Sequence, residues 1–199
     1  VKQSIEHLTQ EPHIADIIRM VGEIEAKPSG GLYFDLLESI VSQQLSVKAS
    51  ETIFRRFLLL FENGYPDASV LSSMTPEQLR PAGVSRQKAQ YILGAARFAT
   101  EHNLEHKSWD NVPDEDIIQF LTRIEGVGRW TVEMLLIFSL RRQDVFPVDD
   151  LGIRRSMVRL FGLQETGREL KNRMIQLAEP WRPWRTTASL YLWRWKDQF

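Results

Sequence analysis

Ile124-Glu125-Gly126-Val127-Gly128-Arg129-Trp130-Thr131 decides how this chain is read. An apolar helical stretch runs into Gly-x-Gly, and a second apolar helix begins at once, carrying Thr131. Glycines this close permit a tight hairpin with positive φ. They also let a ligand approach bare backbone amides at the start of the next helix, where unpaired N–H groups and the macrodipole favour an anion. Such a hairpin holds a DNA phosphate without reading base sequence. Any tight turn in a helical bundle asks for glycine, so Gly-x-Gly alone says little. The fuller pattern, apolar-x-Gly-apolar-Gly-x-x-Thr between two helices, is more specific.

Downstream, Asp144-Val145-Phe146-Pro147-Val148-Asp149-Asp150 delivers two carboxylates just ahead of a helix with Ile153, Met157, Val158 and Leu160 on one face. Either aspartate alone suits a helix N-cap. The apolar run before them is expected to be buried, which brings a carboxylate out partly desolvated beside a helix N-terminus. A negative charge there can stabilise a cationic transition state. Of six tryptophans, Trp181, Trp184, Trp193 and Trp195 crowd the last nineteen residues. Core packing is the default for Trp181 and Trp184. Trp130, directly after the hairpin, is placed to form an aromatic wall that stacks on a base turned out of the duplex, favouring an electron-poor or cationic one.

Outward from these motifs, nearly every segment has helical period. Ile14, Ile17, Ile18, Val21 and Ile24 share a face, as do Phe34, Leu37, Ile40 and Val41. Val47, Phe54, Phe57, Leu58 and Phe61 form a third, which Asn63-Gly64 should end as a glycine cap. Thr75-Pro76 opens another helix, and Asp114 is expected to cap the one containing Ile117, Ile118, Leu121 and Ile124. Strand alternation is absent. The expectation is an all-α fold of about nine or ten helices. Pro81-Ala82-Gly83-Val84-Ser85-Arg86-Gln87-Lys88-Ala89 faintly echoes Ile124 to Val132, with Ser85 in place of the second glycine; it reads equally well as an ordinary turn.

At 199 residues the chain can bury a full core as one domain or two small interleaved ones. It has no Cys, which removes disulfides and thiolate-held metal sites or iron–sulfur clusters. There is no secretory h-region and no apolar run long enough to span a bilayer. A net charge of −1 and a pI near 6.5 do not advertise nucleic-acid binding. Any DNA affinity must come from local geometry.

Taken together, Ile40-Val41-Ser42-Gln43-Gln44-Leu45-Ser46, Gly126 to Thr131, Asp144 to Asp150, and Trp181-Arg182-Pro183-Trp184-Arg185 continuing to Leu192-Trp193 resemble the helix-hairpin-helix DNA glycosylase superfamily. The closest likeness is to its 3-methyladenine DNA glycosylase II (AlkA-type) branch, and it spans nearly the whole chain. The resemblance implies two interleaved helical subdomains with the active-site cleft between them. One would hold the central helices, residues 32–145, with the hairpin at 120–136; the other would combine residues 1–31 and 146–199. It also implies an enzyme that flips an alkylated, cationic purine such as 3-methyladenine from double-stranded DNA and hydrolyses its N-glycosidic bond.

On this resemblance Asp150 is the catalytic carboxylate, since Asp150, Ile153 and Arg155 repeat the superfamily's Asp-x-x-Ile-x-Arg, and Asp149 becomes its neighbour and a candidate cap. Trp130 and Trp193 line the base pocket. Gly126, Val127, Gly128, Arg129 and Thr131 contact DNA, and Gln44 or Leu45 is the wedge that fills the hole left by the flipped base. No cofactor or metal site is expected, although superfamily hairpins can hold a monovalent cation on their backbone, on which the sequence is silent. Strand-cleaving members carry lysine where this chain has Trp130, so a monofunctional hydrolase is expected. The first helix of the resemblance starts near residue 12, so the β-rich N-terminal domain of longer relatives is expected to be absent. A monomer is expected, in the bacterial cytoplasm with the nucleoid or in a eukaryotic nucleus. Two other readings stay open: a non-catalytic hairpin module that docks on DNA, and a glycosylase for oxidised or mispaired bases.

Overall fold

Where the sequence spells out a cap, a helix begins. The Glu11 carboxylate accepts from Ile14 N–H at 2.7 Å ahead of Pro12, and Ser46 Oγ accepts from Ala49 N–H at 3.4 Å. Gln78 Oε1 reaches back to Thr75 N–H at 2.7 Å, half of a capping box around Pro76. In chain order the helices are α1 (Lys2–Leu8), α2 (Pro12–Val21), α3 (Leu32–Ser42), α4 (Val47–Leu58), α5 (Ala68–Ser72) and α6 (Pro76–Leu79). They continue with α7 (Arg86–His102), α8 (Asp114–Leu121), α9 (Arg129–Phe138), α10 (Leu151–Phe161), α11 (Gly167–Ala178) and α12 (Arg185–Lys196). Short 3-10 turns occupy Arg80–Ala82 and Glu179–Trp181.

This computed structural model describes residues 2–25 and 28–197, and no strand occurs among them. The fold is all-α. The described residues hold twelve α-helices rather than nine or ten; α5, with five residues, is too short to show a periodic face. Two further expectations are corrected. Helix α4 stops at Leu58, so Gly64 (φ 65°) turns the chain beyond the helix, donating to Phe61 O at 3.0 Å, instead of capping it. Pro113 occupies the N-cap of α8, which makes Asp114 its first helical residue.

The chain divides into two units, one from residues 1–28 and 136–199 (the terminal unit) and one from 29–135 (the central unit). In the central unit the apolar face of α3 (Leu36, Leu37, Ile40, Val41) is fully buried, as are Phe57, Leu71, Ile92 and Ala95. Val47, read as part of the α4 face, stands 74% exposed at that helix's first turn. In the terminal unit α12 packs on both α2 and α10. Ile14, Ile17, Met157, Met174, Trp181 and Leu192 form its core, each 0% exposed. Tyr191 Oη donates to Gly22 O at 3.0 Å, tying α12 to the end of α2.

The second change of unit falls at Leu135/Leu136, ten residues before the boundary suggested by the sequence. The segment before Asp150 explains this. Thr186 Oγ1 donates to Arg142 O at 2.6 Å and accepts from Val145 N–H at 3.0 Å, and Thr186 N–H donates to Gln143 O at 2.9 Å. Residues 142–145 are thereby stitched to the first turn of α12.

Candidate active site and DNA interface

In the terminal unit the site grows from that strap. The Arg185 guanidinium, largely buried, holds both carboxylate oxygens of Asp144 (2.6 and 3.1 Å) and its main-chain oxygen (2.9 Å). Arg182 forms a second ion pair with Asp144. Val145, Phe146 and Pro147 then run buried, and Asp150 N–H donates to Pro147 O at 2.9 Å. Asp150 itself has extended φ and ψ (−67°, 129°), and its Oδ1 accepts from Ile153 N–H at 2.9 Å. Asp150, and not Asp149, is the N-cap of α10. The candidate cap assigned to Asp149 is therefore corrected: that residue lies one position before the helix-starting geometry and pairs with Lys171 on α11.

The same Oδ1 accepts a second hydrogen bond, from Trp193 Nε1–H at 2.8 Å. Trp193 stacks on Phe138, with ring centroids 5.9 Å apart and planes at 25°. A Cβ on Gly152 would lie 3.0 Å from both Asp150 Oδ1 and Trp193 Cδ1, a tight contact to which these side chains would have to yield. The carboxylate is thus fixed by two donors at the positive end of α10, where its charge is favoured. Trp181 is a core residue, 0% exposed, and Trp184 packs against the same cluster.

In the central unit Gly126 has φ 82°, and a Cβ there would lie 2.3 Å from Tyr91 Cδ2. Both conditions demand glycine. Gly128 differs: it is absent from the positive-φ residues, and a Cβ on it would meet nothing within 4 Å. The fold does not require that glycine, and without a side chain it cannot cap the first amides of α9. Val127 and Thr131 are buried (5% each), which takes their side chains out of a ligand's reach. Arg129 is engaged within the protein. Its Nη1 and Nη2 grip Glu115 at 3.0 and 2.8 Å, and its Nε donates to the buried Glu133 at 3.1 Å. Its guanidinium is thereby directed at carboxylates rather than held out as a lone cation for phosphate. The Arg129 hydrogen bond holds the Glu115 carboxyl below the usual carboxylate range. Trp130, on the first turn of α9, is 46% exposed.

Gln44 and Leu45 form the tip of the α3–α4 loop. Gln44 is left-handed (φ 57°) and Leu45 is 38% exposed. Sequence reasoning missed what anchors this tip. Gln43 Nε2 donates to Gly126 O at 2.9 Å, and Lys88 Nζ donates to Val41 O and Gln43 O at 2.7 and 2.5 Å. Both anchors lay inside motifs already singled out, the Gln-Gln-Leu-Ser segment and the echo hairpin, but these contacts join residues 45 to 83 positions apart.

The HhH-GPD superfamily of base excision DNA repair proteins matches residues 37–183, a span that contains the tip loop, the hairpin and Asp150. The chain belongs to the HhH-GPD superfamily. Among its relatives, DNA-3-methyladenine glycosylase 1 of Schizosaccharomyces pombe is 38% identical over 164 residues, covering 81% of this chain and 71% of that protein. A putative DNA-3-methyladenine glycosylase of Bacillus subtilis is 32% identical, over 82% of this chain and 58% of its own length. Among solved structures, the S. pombe 3-methyladenine DNA glycosylase in complex with abasic DNA superposes with TM-score 0.82 at 35% identity, covering 96% of this chain and 95% of that one. A DNA-3-methyladenine glycosidase from Bacillus halodurans gives TM-score 0.85 at 33% identity, over 97% and 88%. No helix among the described residues is long and apolar enough to cross a membrane, and no group of three His, Asp or Glu among them is placed to hold a metal ion.

Proposed function

We infer that this HhH-GPD chain is a monofunctional DNA N-glycosylase of base excision repair, which flips alkylated, cationic purines such as 3-methyladenine from duplex DNA and hydrolyses the N-glycosidic bond to leave an abasic site. The observation that carries the chemistry is the Asp150 carboxylate, held by Ile153 N–H and Trp193 Nε1–H at the N-terminus of α10. Alkylation of a purine ring nitrogen puts positive charge on the base and weakens its bond to the sugar. Cleavage leaves an oxocarbenium-like sugar, as in glycoside hydrolysis, and the departing base needs no second carboxylate to protonate it. Asp150 stabilises that cation and orients or deprotonates the attacking water.

The exposed Trp130 and the indole of Trp193 offer aromatic surface to the base, and a cationic ring gains most from it. The Trp193 N–H bond to Asp150 gives that side chain a second task. DNA is the partner. The backbone of 126–131 around the open Gly128 takes the phosphate, and the Gln44–Leu45 tip fills the vacated space in the duplex. A monovalent cation at the hairpin would be held by its neutral backbone oxygens. Residue 130 offers an indole instead of an amine, so no Schiff base forms and the product strand stays intact. The enzyme acts as a monomer wherever the genome lies, in a bacterial cytoplasm or a eukaryotic nucleus.

The test is release of free bases from methylated DNA by wild type and by Asp150→Asn. Asparagine caps a helix as well as aspartate does, so the variant keeps its fold. Base release should fall at least about 100-fold with DNA binding retained. Full activity in that variant removes Asp150 from the chemistry. A covalent adduct trapped by borohydride, or strand breaks without alkali, contradicts the monofunctional mechanism.

A further inference from the structure

The echo hairpin has no part in the function as stated, yet its geometry repeats the first. Gly83 is left-handed (φ 88°), Val84 is buried (6%), and α7 starts two residues later. Here Ser85 Oγ accepts from Lys88 N–H at 3.3 Å, so a side chain of the protein occupies the place a ligand would need. The helix launched from this hairpin reaches both DNA-facing elements of the central unit. Lys88 Nζ spans the carbonyls of Val41 and Gln43 at the end of α3, where orphan carbonyls and the negative dipole end attract a cation. One turn further along, the Tyr91 ring roofs Gly126. Gln43 Nε2 closes the triangle on Gly126 O at 2.9 Å.

We propose that Lys88 and Gln43 are positioning residues: they clasp the Gln44–Leu45 tip to the Gly126 hairpin, so that the phosphate grip and the filling of the duplex hole act as one preformed piece, and the echo hairpin is the mount for that clasp. This rests on the glycosylase reading. A tip already ordered before it meets DNA pays less on insertion than a loop ordered at that moment. The left-handed Gln44 backbone is a conformation that a side-chain-bearing residue seldom adopts unsupported, and the clasp lies on the residue before it.

The experiment compares two substrates containing the same alkylated purine, one fully paired and one within a short bubble of unpaired bases. In the bubble the partner strand leaves no stacked hole to fill, so a preformed tip confers little. Lys88→Met should lower kcat/KM on the paired duplex on the order of tenfold. Its activity on the bubble and its melting temperature should stay close to wild type. Lys88→Arg, which keeps donors for both carbonyls, should recover most of the paired-duplex activity. Gln44→Ala sets the scale of loss on the paired duplex, and adding Lys88→Met to it should cost little more, because both act through one tip. Equal loss on both substrates, or losses that add, overturns the clasp while leaving the glycosylase intact. Wild-type protein that releases no base from either substrate overturns the glycosylase reading itself.

Discussion

The two glycine hairpins of the central unit share a backbone course and part ways at one position. Both turn on a left-handed glycine, Gly83 or Gly126, bury the following valine and launch a helix. At the next residue the echo hairpin carries Ser85, whose hydroxyl caps its own helix, whereas the other carries Gly128 with open space where a side chain would be. Near-identical turns can therefore serve opposite ends. One spends its helix amides on itself and becomes scaffold. The other carries no side chain at that position, so its helix start receives no cap from there.

Substitutions at matching positions can break or sharpen this contrast. Gly126→Ala should be the most damaging: the strained φ and the ring carbon at 2.3 Å act together, costing about 3 kcal/mol in denaturant unfolding. Gly83→Ala carries the strain but meets only Ile53 Cγ1 at 3.6 Å, an ordinary contact, so about 1 kcal/mol is expected. A loss at Gly83 as large as that at Gly126 would show that the ring contact is immaterial. Gly128→Leu should leave the melting temperature unchanged and weaken binding to damaged and undamaged duplex alike by about tenfold, as a phosphate contact requires. Selective loss of damaged-DNA binding would move Gly128 from the grip to the base pocket. Ser85→Ala should show the reverse pattern, about 1 kcal/mol of stability lost with DNA affinity intact. Weakened DNA binding there would make the echo hairpin a second grip.

The smallest effect concerns acid. Arg129 holds the folded-state pKa of Glu115 below its ordinary value, so the pair adds stability above the ordinary glutamate range and loses it as pH falls through the lowered value. Both side chains are about half exposed, which limits the gain to about 0.5 kcal/mol. Wild type should exceed Glu115→Gln by that margin at neutral pH and converge with it in acid. A gap that persists in acid would mean that the carboxylate's charge is not what stabilises.

The legible part of the molecule was whatever sequence expresses locally. Apolar periodicity revealed the buried faces of α2 and α3, and Thr75-Pro76 marked a helix start that the structure has. The first hairpin and the carboxylate pair were visible for the same reason. What stayed hidden depends on partners distant in the chain. Lys88 reads as an ordinary helical lysine until α3 is packed beside it. Nothing near Trp193 reveals that its indole donates to a carboxylate 43 residues away. Local ambiguity also had a cost. Two adjacent aspartates are equally good caps on paper, and only the turn from Pro147 to Asp150 selects the second. Neither Glu115 nor Glu133 announces in the sequence its claim on Arg129.

The stitching of α12 has a consequence for how this site tolerates change. Thr186 and Arg185 pin the strap near its start, and Trp193 pins Asp150 at its end, so a single helix acts as a ruler with two marks. The distance between the marks is counted in helical residues, and their angle is set by helical phase. One residue inserted between Thr186 and Trp193 would swing the indole by about 100° and carry its N–H away from the carboxylate. Length variation among functional forms of this chain should therefore be excluded from α12 between those marks.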